Sequence, residues 1–230
     1  MKIEVPEQLV EVIKAGVEAN REVPGSIAVG GSVCSLFMHH RNSADIDFVL
    51  ADMSRRFESI REHLFQLPAW KEARALRPVL ILGSLHGVEV GFRQLRRSIP
   101  LEIQTIETPS GQLIVPTVEE LLRIKAFLTY NRNTTRDFVD FAELSTLFEI
   151  HESGDILSDL DERFGWEKQP SIIVQVAKKL LMPLPYDFDD PKSGFAKLRF
   201  IEPRLKTWDD VVERCKAIGE DLTMRLFTKN

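Results

Sequence analysis

The sequence predicts an α+β fold, a small mixed sheet with helices followed by a helical C-terminal region. Three observations predict it. Residues 44–50, Ala44-Asp45-Ile46-Asp47-Phe48-Val49-Leu50, alternate at period two, the signature of a strand. The stretch around them interleaves short apolar runs with segments of helical spacing. From about residue 117 onward the pattern is almost wholly helical, so the first half is mixed and the second half α. The expected division is a core over 1–116 and a helical region over 117–230, which would complete a cleft against the core.

Taken in order, residues 6–21 read as a helix, with Pro6 in the first turn and Leu9, Val10, Ile13 and Val17 at helical spacing. Val23-Pro24-Gly25 breaks it. Residues 26–29 form a short buried strand ending at Gly30-Gly31, and 32–40 a compact helix packing Val33, Leu36 and Phe37. Arg41-Asn42-Ser43 turns the chain into the strand 44–50. Residues 54–66 place Phe57, Ile60, Leu64 and Phe65 on one helical face. Two strands, 78–82 and 88–95, make a hairpin around Ser84-Leu85-His86-Gly87. Further strands are expected at 99–106, with Ile99, Leu101 and Ile103 facing the core, and at 112–115. Thr117 caps a helix to about Tyr130, with Glu120 closing a capping box. The next helix starts at Thr134 or Thr135 and runs to about Ile150. In the mostly helical remainder, Met182-Pro183-Leu184-Pro185-Tyr186-Asp187 must be extended, because two prolines forbid helix.

Composition bounds the function. The chain has 230 residues, 43% hydrophobic and 28% charged, as in ordinary globular proteins. No apolar run approaches the roughly 20 residues that span a bilayer, and Met1 to Pro6 carries no secretory apolar segment, so a cytoplasmic protein is expected, with no membrane partner. Cys34 and Cys215 form no metal-ligand spacing; both should be reduced, Cys34 on the buried side of its helix. The net charge of −5 argues against indiscriminate nucleic-acid binding, but leaves room for a local basic patch. Candidates are Arg93, Arg96 and Arg97, or Arg55, Arg56 and Arg61; a solvated face is the simpler reading of either. There is no phosphate-binding loop of the Gly-x-x-x-x-Gly-Lys type and no serine nucleophile elbow. His39-His40 reads as a surface turn.

The informative segment is Gly30-Gly31-Ser32, then Asp45-Ile46-Asp47. Two glycines at the end of a strand let backbone approach a bulky anion. Ser32 offers a hydroxyl at a helix N-terminus, where free N–H groups favour phosphate. Asp45 and Asp47, two apart on a strand, point to one side, and Ile46 and Phe48 to the other. Two adjacent carboxylates repel unless a cation lies between them, and oxygen ligands plus a triphosphate suit Mg²⁺. Either half alone is more often a turn or an edge-strand pair; the ordered combination is specific. Lys125 lies on an otherwise apolar helix face with Leu121, Leu122 and Leu128. It is either a lysine whose stem lies on the core or a buried cation in need of an anion such as an NTP phosphate. Asp137 is either a helix-terminus charge or part of a site.

The segment resembles the core motif of the polymerase β-like nucleotidyltransferase superfamily. Arg41-Asn42-Ser43-Ala44-Asp45-Ile46-Asp47 is similar to its AbiEii/AbiGii toxin branch. So is a second block, Glu119 to Ala126 with Lys125, then Arg132, then Arg136-Asp137-Phe138-Val139-Asp140-Phe141. The resemblance covers roughly residues 25–145. It implies an NTP-dependent transfer of a nucleoside monophosphate, with Mg²⁺ (or Mn²⁺) at Asp45 and Asp47. Gly30, Gly31 and Ser32 would hold the β,γ-phosphates, Lys125 would neutralise the triphosphate, and Asp137 would orient it or the acceptor. It also implies a third acid from a neighbouring strand, Glu102 or Glu89. Glu102 is favoured, because it leads into the Lys125 helix after one short connection; the family more often has Asp there. The acceptor implied is RNA, tRNA-like, in a toxin paired with an antitoxin protein. The alternatives are a small-molecule, antibiotic-type enzyme and a nucleotide-binding scaffold without catalysis.

Overall fold

The computed structural model describes residues 1–97, 99–165 and 170–228. The chain divides into two compact units, Met1–Thr117 and Val118–Asn230.

In the first unit, a single 3-10 turn, Glu7–Leu9, leads into α1, Val10–Glu22. Leu9, Val12, Ile13, Gly16 and Ala19 recur at three- and four-residue intervals and are buried, which orients α1 against the sheet. Then come β1 (Ile27–Val29), α2 (Gly31–Met38), β2 (Asp45–Leu50) and α3 (Met53–Phe65). They are followed by β3 (Trp70–Leu76), β4 (Leu80–Leu85), β5 (Val88–Gln94), β6 (Ile103–Thr108) and β7 (Gly111–Pro116). β1 to β5 form one mixed sheet in the order β1-β2-β5-β4-β3, with β2 and β5 parallel and every other pair antiparallel. One face is the core: Ile46, Phe48, Leu50, Ile81, Val90 and Phe92 are sealed, and the Phe48 and Phe92 rings stack at 5.3 Å.

Three details depart from the sequence expectations. No strand is expected at 70–76, yet β3 forms there as a sheet edge. Apart from Trp70, which packs against Phe92 at 6.4 Å, its side chains are half-buried or exposed, so it lacks the burial signal that marks a strand. The β4–β5 hairpin is tighter than four residues: Ser84 pairs with Glu89 and Leu85 with Val88, leaving His86 (φ 52°) and Gly87 (φ 84°) as the two-residue turn. The strand expected at 99–106 begins only at Ile103, which is 51% exposed, so of Ile99, Leu101 and Ile103, assigned to the core face, only Leu101 is buried. β6, whose Glu107 also bridges in parallel to Lys2, pairs with β7 as a second, two-stranded sheet. Asn20 fastens it: its amide nitrogen donates to the Ser26 carbonyl at 2.7 Å, and its amide oxygen accepts from the Ile114 N–H at 3.0 Å.

The second unit is helical among its described residues: α4 (Val118–Asn131), α5 (Thr135–Ser145), α6 (Ile150–Leu157), α7 (Leu160–Phe164), α8 (Ile172–Leu181), α9 (Pro191–Ala196) and α10 (Trp208–Thr228). The helix expected to run to Ile150 stops at Ser145, because Glu149 caps α6 and Glu152 closes the box by accepting from the Glu149 N–H at 2.8 Å. Residues 182–187 lie outside any helix, as the prolines require, in a connection that bends at Met182, Tyr186 and Asp187. Gly219 lets α10 approach the end of α8, where an added Cβ would lie 3.0 Å from the Leu181 nitrogen. No helix among the described residues is long and apolar enough to cross a membrane.

Candidate active site

The face of the five-stranded sheet opposite its core carries the chemistry. Alternation along β2 buries Ile46 and Phe48 and leaves Asp45 and Asp47 half-buried on the other side. The parallel register sets Glu89 beside Asp45, Gly91 beside Asp47 and Arg93 beside Val49. β4 continues the rows with Ser84 next to Glu89 and Leu82 next to Gly91. These side chains line a cleft of about 360 Å³.

Gly91 makes the arrangement possible. A Cβ there would lie 2.4 Å from the Asp47 Oδ1, so the missing side chain is the space the carboxylate occupies. The same Oδ1 accepts from the Arg93 Nε at 3.2 Å, and the Asp45 Oδ1 accepts from the Ser43 hydroxyl at 3.0 Å. Both carboxylates are therefore held by neighbours on their own unit. Sequence reasoning passed over Gly91; the signal was a glycine inside a strand, which marks a close approach.

Gly30 closes β1 with φ 93° and ψ −160°, a backbone geometry that side chains resist. Gly31 opens α2, and a Cβ on it would lie 2.5 Å from the Arg41 Nη2. Gly30, Gly31 and Asp47 are neighbours: the Gly30 Cβ position lies 3.9 Å from the Asp47 Cβ. Ser32 is used differently from expectation. It is fully buried and its hydroxyl donates to the Asp45 carbonyl, which ties α2 to β2 and commits that proton to the backbone. His40 is fully buried, so the surface turn expected at His39-His40 holds at most for His39.

Glu102 lies outside the sheet that carries the aspartates. It precedes β6, whose sheet is separate, and its side chain is exposed. The acid that shares the face is Glu89, because β5, and not β6, neighbours β2. Among the described residues no three His, Cys, Asp or Glu side chains converge to hold a metal ion. The donor set nevertheless suits Mg²⁺, which commonly binds one or two carboxylates and takes its other ligands from phosphates and water. Two aspartates on one face, with a glycine in place of a bulky neighbour, meet that requirement.

The second motif folds into a different role. Lys125 on α4 is 1% exposed, and its Nζ donates to the fully buried Asp140 Oδ2 on α5 at 2.7 Å. The anion that a buried lysine needs is here internal, so a triphosphate would have to compete with Asp140 for it. Asp137 is fully buried: Arg132 grips both of its oxygens, and the Thr134 hydroxyl adds a bond of 2.5 Å. It orders the start of α5. The Lys125–Asp140 pair binds α4 to α5, and the Arg132–Asp137 pair ties the turn after α4 to the start of α5.

The expected basic patch also changes. Arg93 is engaged with Asp47, and Arg97 donates to the carbonyls of Ile99 and Pro100 at 2.8 and 3.0 Å. Arg96 is exposed. In the other cluster Arg55 and Arg56 meet Asp52, and Arg61 bonds both oxygens of Glu72 at 2.8 Å. On the site face, the register places Lys71 in the row of Ser84 and Arg74 in the row of Leu82, both exposed. Cys34 and Cys215 are buried and form no disulfide with each other, and burial pushes the Cys215 thiol far up, so it stays protonated.

No protein-family model matches the chain. Over 130 residues it is 32% identical to the mycolic acid-containing lipids exporter MmpL11 of Mycolicibacterium smegmatis, covering 54% of this chain and 13% of that protein. Over 127 residues it is 28% identical to the heme uptake protein MmpL11 of Mycobacterium tuberculosis, covering 54% and 12%. The chain spans about an eighth of the length of these curated relatives. Among solved structures, a candidate nucleotidyltransferase from H. pylori superposes with a TM-score of 0.53 over 98% of this chain and 99% of that one, at 12% identity. An antigenic nucleotidyltransferase-like protein from Paracoccidioides brasiliensis aligns over 76% of this chain and 94% of that one, at 14% identity and a TM-score of 0.48. The H. pylori likeness extends over nearly the whole chain and shows a shared fold.

Proposed function

We propose that this chain is a metal-dependent nucleotidyltransferase of the polymerase β-like type, moving a nucleoside monophosphate from an NTP to an acceptor and releasing pyrophosphate. The observation that carries this reading is the pair Asp45 and Asp47 on one open sheet face, with Gly30-Gly31 at its edge and Gly91 clearing space for Asp47. The fold shared with the H. pylori candidate supports it. A divalent ion, Mg²⁺ or Mn²⁺, held by Asp45 and Asp47 would neutralise the phosphates and ease deprotonation of the acceptor. The chain's own groups do the rest. The Gly30-Gly31 backbone admits the β,γ-phosphates closely, and the start of α2 offers N–H groups to them. Glu89, in the row of Asp45, is the third carboxylate of the face in place of Glu102. The acceptor oxygen bonds to the α-phosphorus, the bond to the bridging oxygen breaks, and pyrophosphate leaves with the electron pair. The acceptor's proton passes to a face carboxylate. Lys125 and Asp137 act through the packing of α4 on α5.

The acceptor we propose is RNA, tRNA-like, in a toxin restrained by an antitoxin protein. Lys71 and Arg74 favour a polyanion, since both lie on the site face. A second reading, a small cationic acceptor, is favoured by the cleft itself, where Asp45, Asp47 and Glu89 outnumber Arg93. Incubating the protein with each labelled NTP, Mg²⁺ and total cellular RNA separates the readings. Label on a discrete RNA band supports the first. Pyrophosphate release only with aminoglycoside-like amines supports the second. No transfer to either class, with Asp45 and Asp47 intact, leaves a scaffold.

A further inference from the structure

Arg93 stands where a cation would be expected to enter. It lies on the site face of β5, in register beside Val49, and its Nε donates to the Asp47 Oδ1 at 3.2 Å. That oxygen is the one lodged over Gly91, whose Cβ position is only 2.4 Å away, so Asp47 is confined on one side and engaged on another. The pair is open to water, with Arg93 47% and Asp47 29% exposed, so it can exchange without unpacking any core. A guanidinium is permanently charged and forms planar, two-pronged bonds to phosphate as well as to carboxylate. It therefore has two partners of equal kind within one cleft: the aspartate, and any phosphate bound beside it.

We infer that Arg93 is an exchangeable counterion of Asp47, displaced by a divalent cation and then taken up by a phosphate group of the incoming nucleotide. The inference rests on the reading of Asp45 and Asp47 as metal ligands. Without a bound phosphate, the metal must compete with Arg93 for Asp47, and it binds weakly. With a triphosphate present, the released guanidinium gains a new anion, so metal and phosphate favour each other's binding. By linkage, that mutual effect is the same whichever ligand binds first. Arg93 thereby keeps bare metal out and selects for metal that arrives with a polyphosphate.

The test uses Mn²⁺ alone, read by the electron paramagnetic resonance of the free ion, and magnesium tripolyphosphate, read by calorimetry at saturating Mg²⁺. The proteins are the full chain, Arg93→Gln and Asp47→Asn. Exposed ion pairs are weak, so Arg93→Gln should bind Mn²⁺ roughly two- to fivefold more tightly than the wild type. It should bind magnesium tripolyphosphate several-fold more weakly. Arg93→Lys, which keeps the charge, should lie between the two. If Arg93→Gln binds Mn²⁺ no more tightly than the wild type, or holds magnesium tripolyphosphate equally well, the exchange is overturned while the metal reading stands. If Asp47→Asn binds Mn²⁺ as the wild type does, the metal reading itself fails and the exchange falls with it.

Discussion

Asp45 and Asp47 owe their position to three neighbours that make no chemistry of their own. Ile46 and Phe48 are anchored in the core, so the strand cannot rotate, and Gly91 leaves the space that the Asp47 Oδ1 occupies. Replacing either aspartate by Ala removes a proposed metal ligand and relieves like-charge repulsion. Asp45→Ala and Asp47→Ala should therefore abolish transfer, measured as pyrophosphate release, with an unchanged or slightly raised Tm. Near-normal turnover in either would remove them from the site. Gly91→Ala tests the same geometry from the other side. Its Cβ would collide with the Asp47 Oδ1, so activity should fall by at least tenfold while the circular dichroism spectrum stays that of the wild type. Lys125 calls for the opposite expectation. Removing one partner of a buried pair leaves a charge without compensation, at roughly 3–5 kcal/mol. Lys125→Ala should lower the midpoint of urea unfolding severely. If stability held and only nucleotide binding suffered, the pairing with Asp140 would not be its main role.

Among the elements, burial explains what could be read and what could not. β2 and β5 each place alternate residues in the core, and the pattern is visible along the chain. β3 buries little beyond Trp70, so its strand character comes from pairing with β4, information that resides in another segment. The end of α5 is likewise set by competition: a helix could continue past Ser145, but the Glu149–Glu152 capping box begins a new one. Helix packing in the second unit depends on close contacts that a sequence does not reveal. At Gly154 an added Cβ would overlap the Asp221 carboxylate, which pairs with Arg225, while Arg225 also donates to the His151 carbonyl at 2.7 Å. A bulky residue there must separate α6 from α10. Gly154→Val should cost about 1–3 kcal/mol through overpacking, read as a lower thermal midpoint. A variant as stable as the wild type would mean that α10 can shift without loss.

At the scale of the whole molecule, the charge distribution bears on the acceptor. The total is −5, and the carboxylates of Asp45, Asp47 and Glu89 dominate the cleft, so an RNA acceptor needs cations beyond them. Lys71 and Arg74 are the side chains whose register places them there. Neutralising phosphates releases counterions and makes binding steeply salt-dependent. The proposed RNA modification should fall sharply between low and physiological salt, and Lys71→Ala with Arg74→Ala should reduce both the rate and the salt slope. A rate indifferent to salt and to these substitutions would move the proposal to a small acceptor. What the sequence by itself determined is the set of local facts: an α+β first half before a helical second half, a strand carrying Asp45 and Asp47 on one side, a glycine turn ahead of it, and a proline segment that breaks the helices. These follow from periodicity and backbone preference, which act over a few residues. Only the tertiary structure decided which strand lies beside β2, and so that Glu89 and not Glu102 shares the face. The same is true of Arg93 answering Asp47, and of Asp140 and Arg132 satisfying Lys125 and Asp137. Those choices are pairings between distant segments, and a charge does not carry in its own neighbourhood the identity of the partner that will neutralise it.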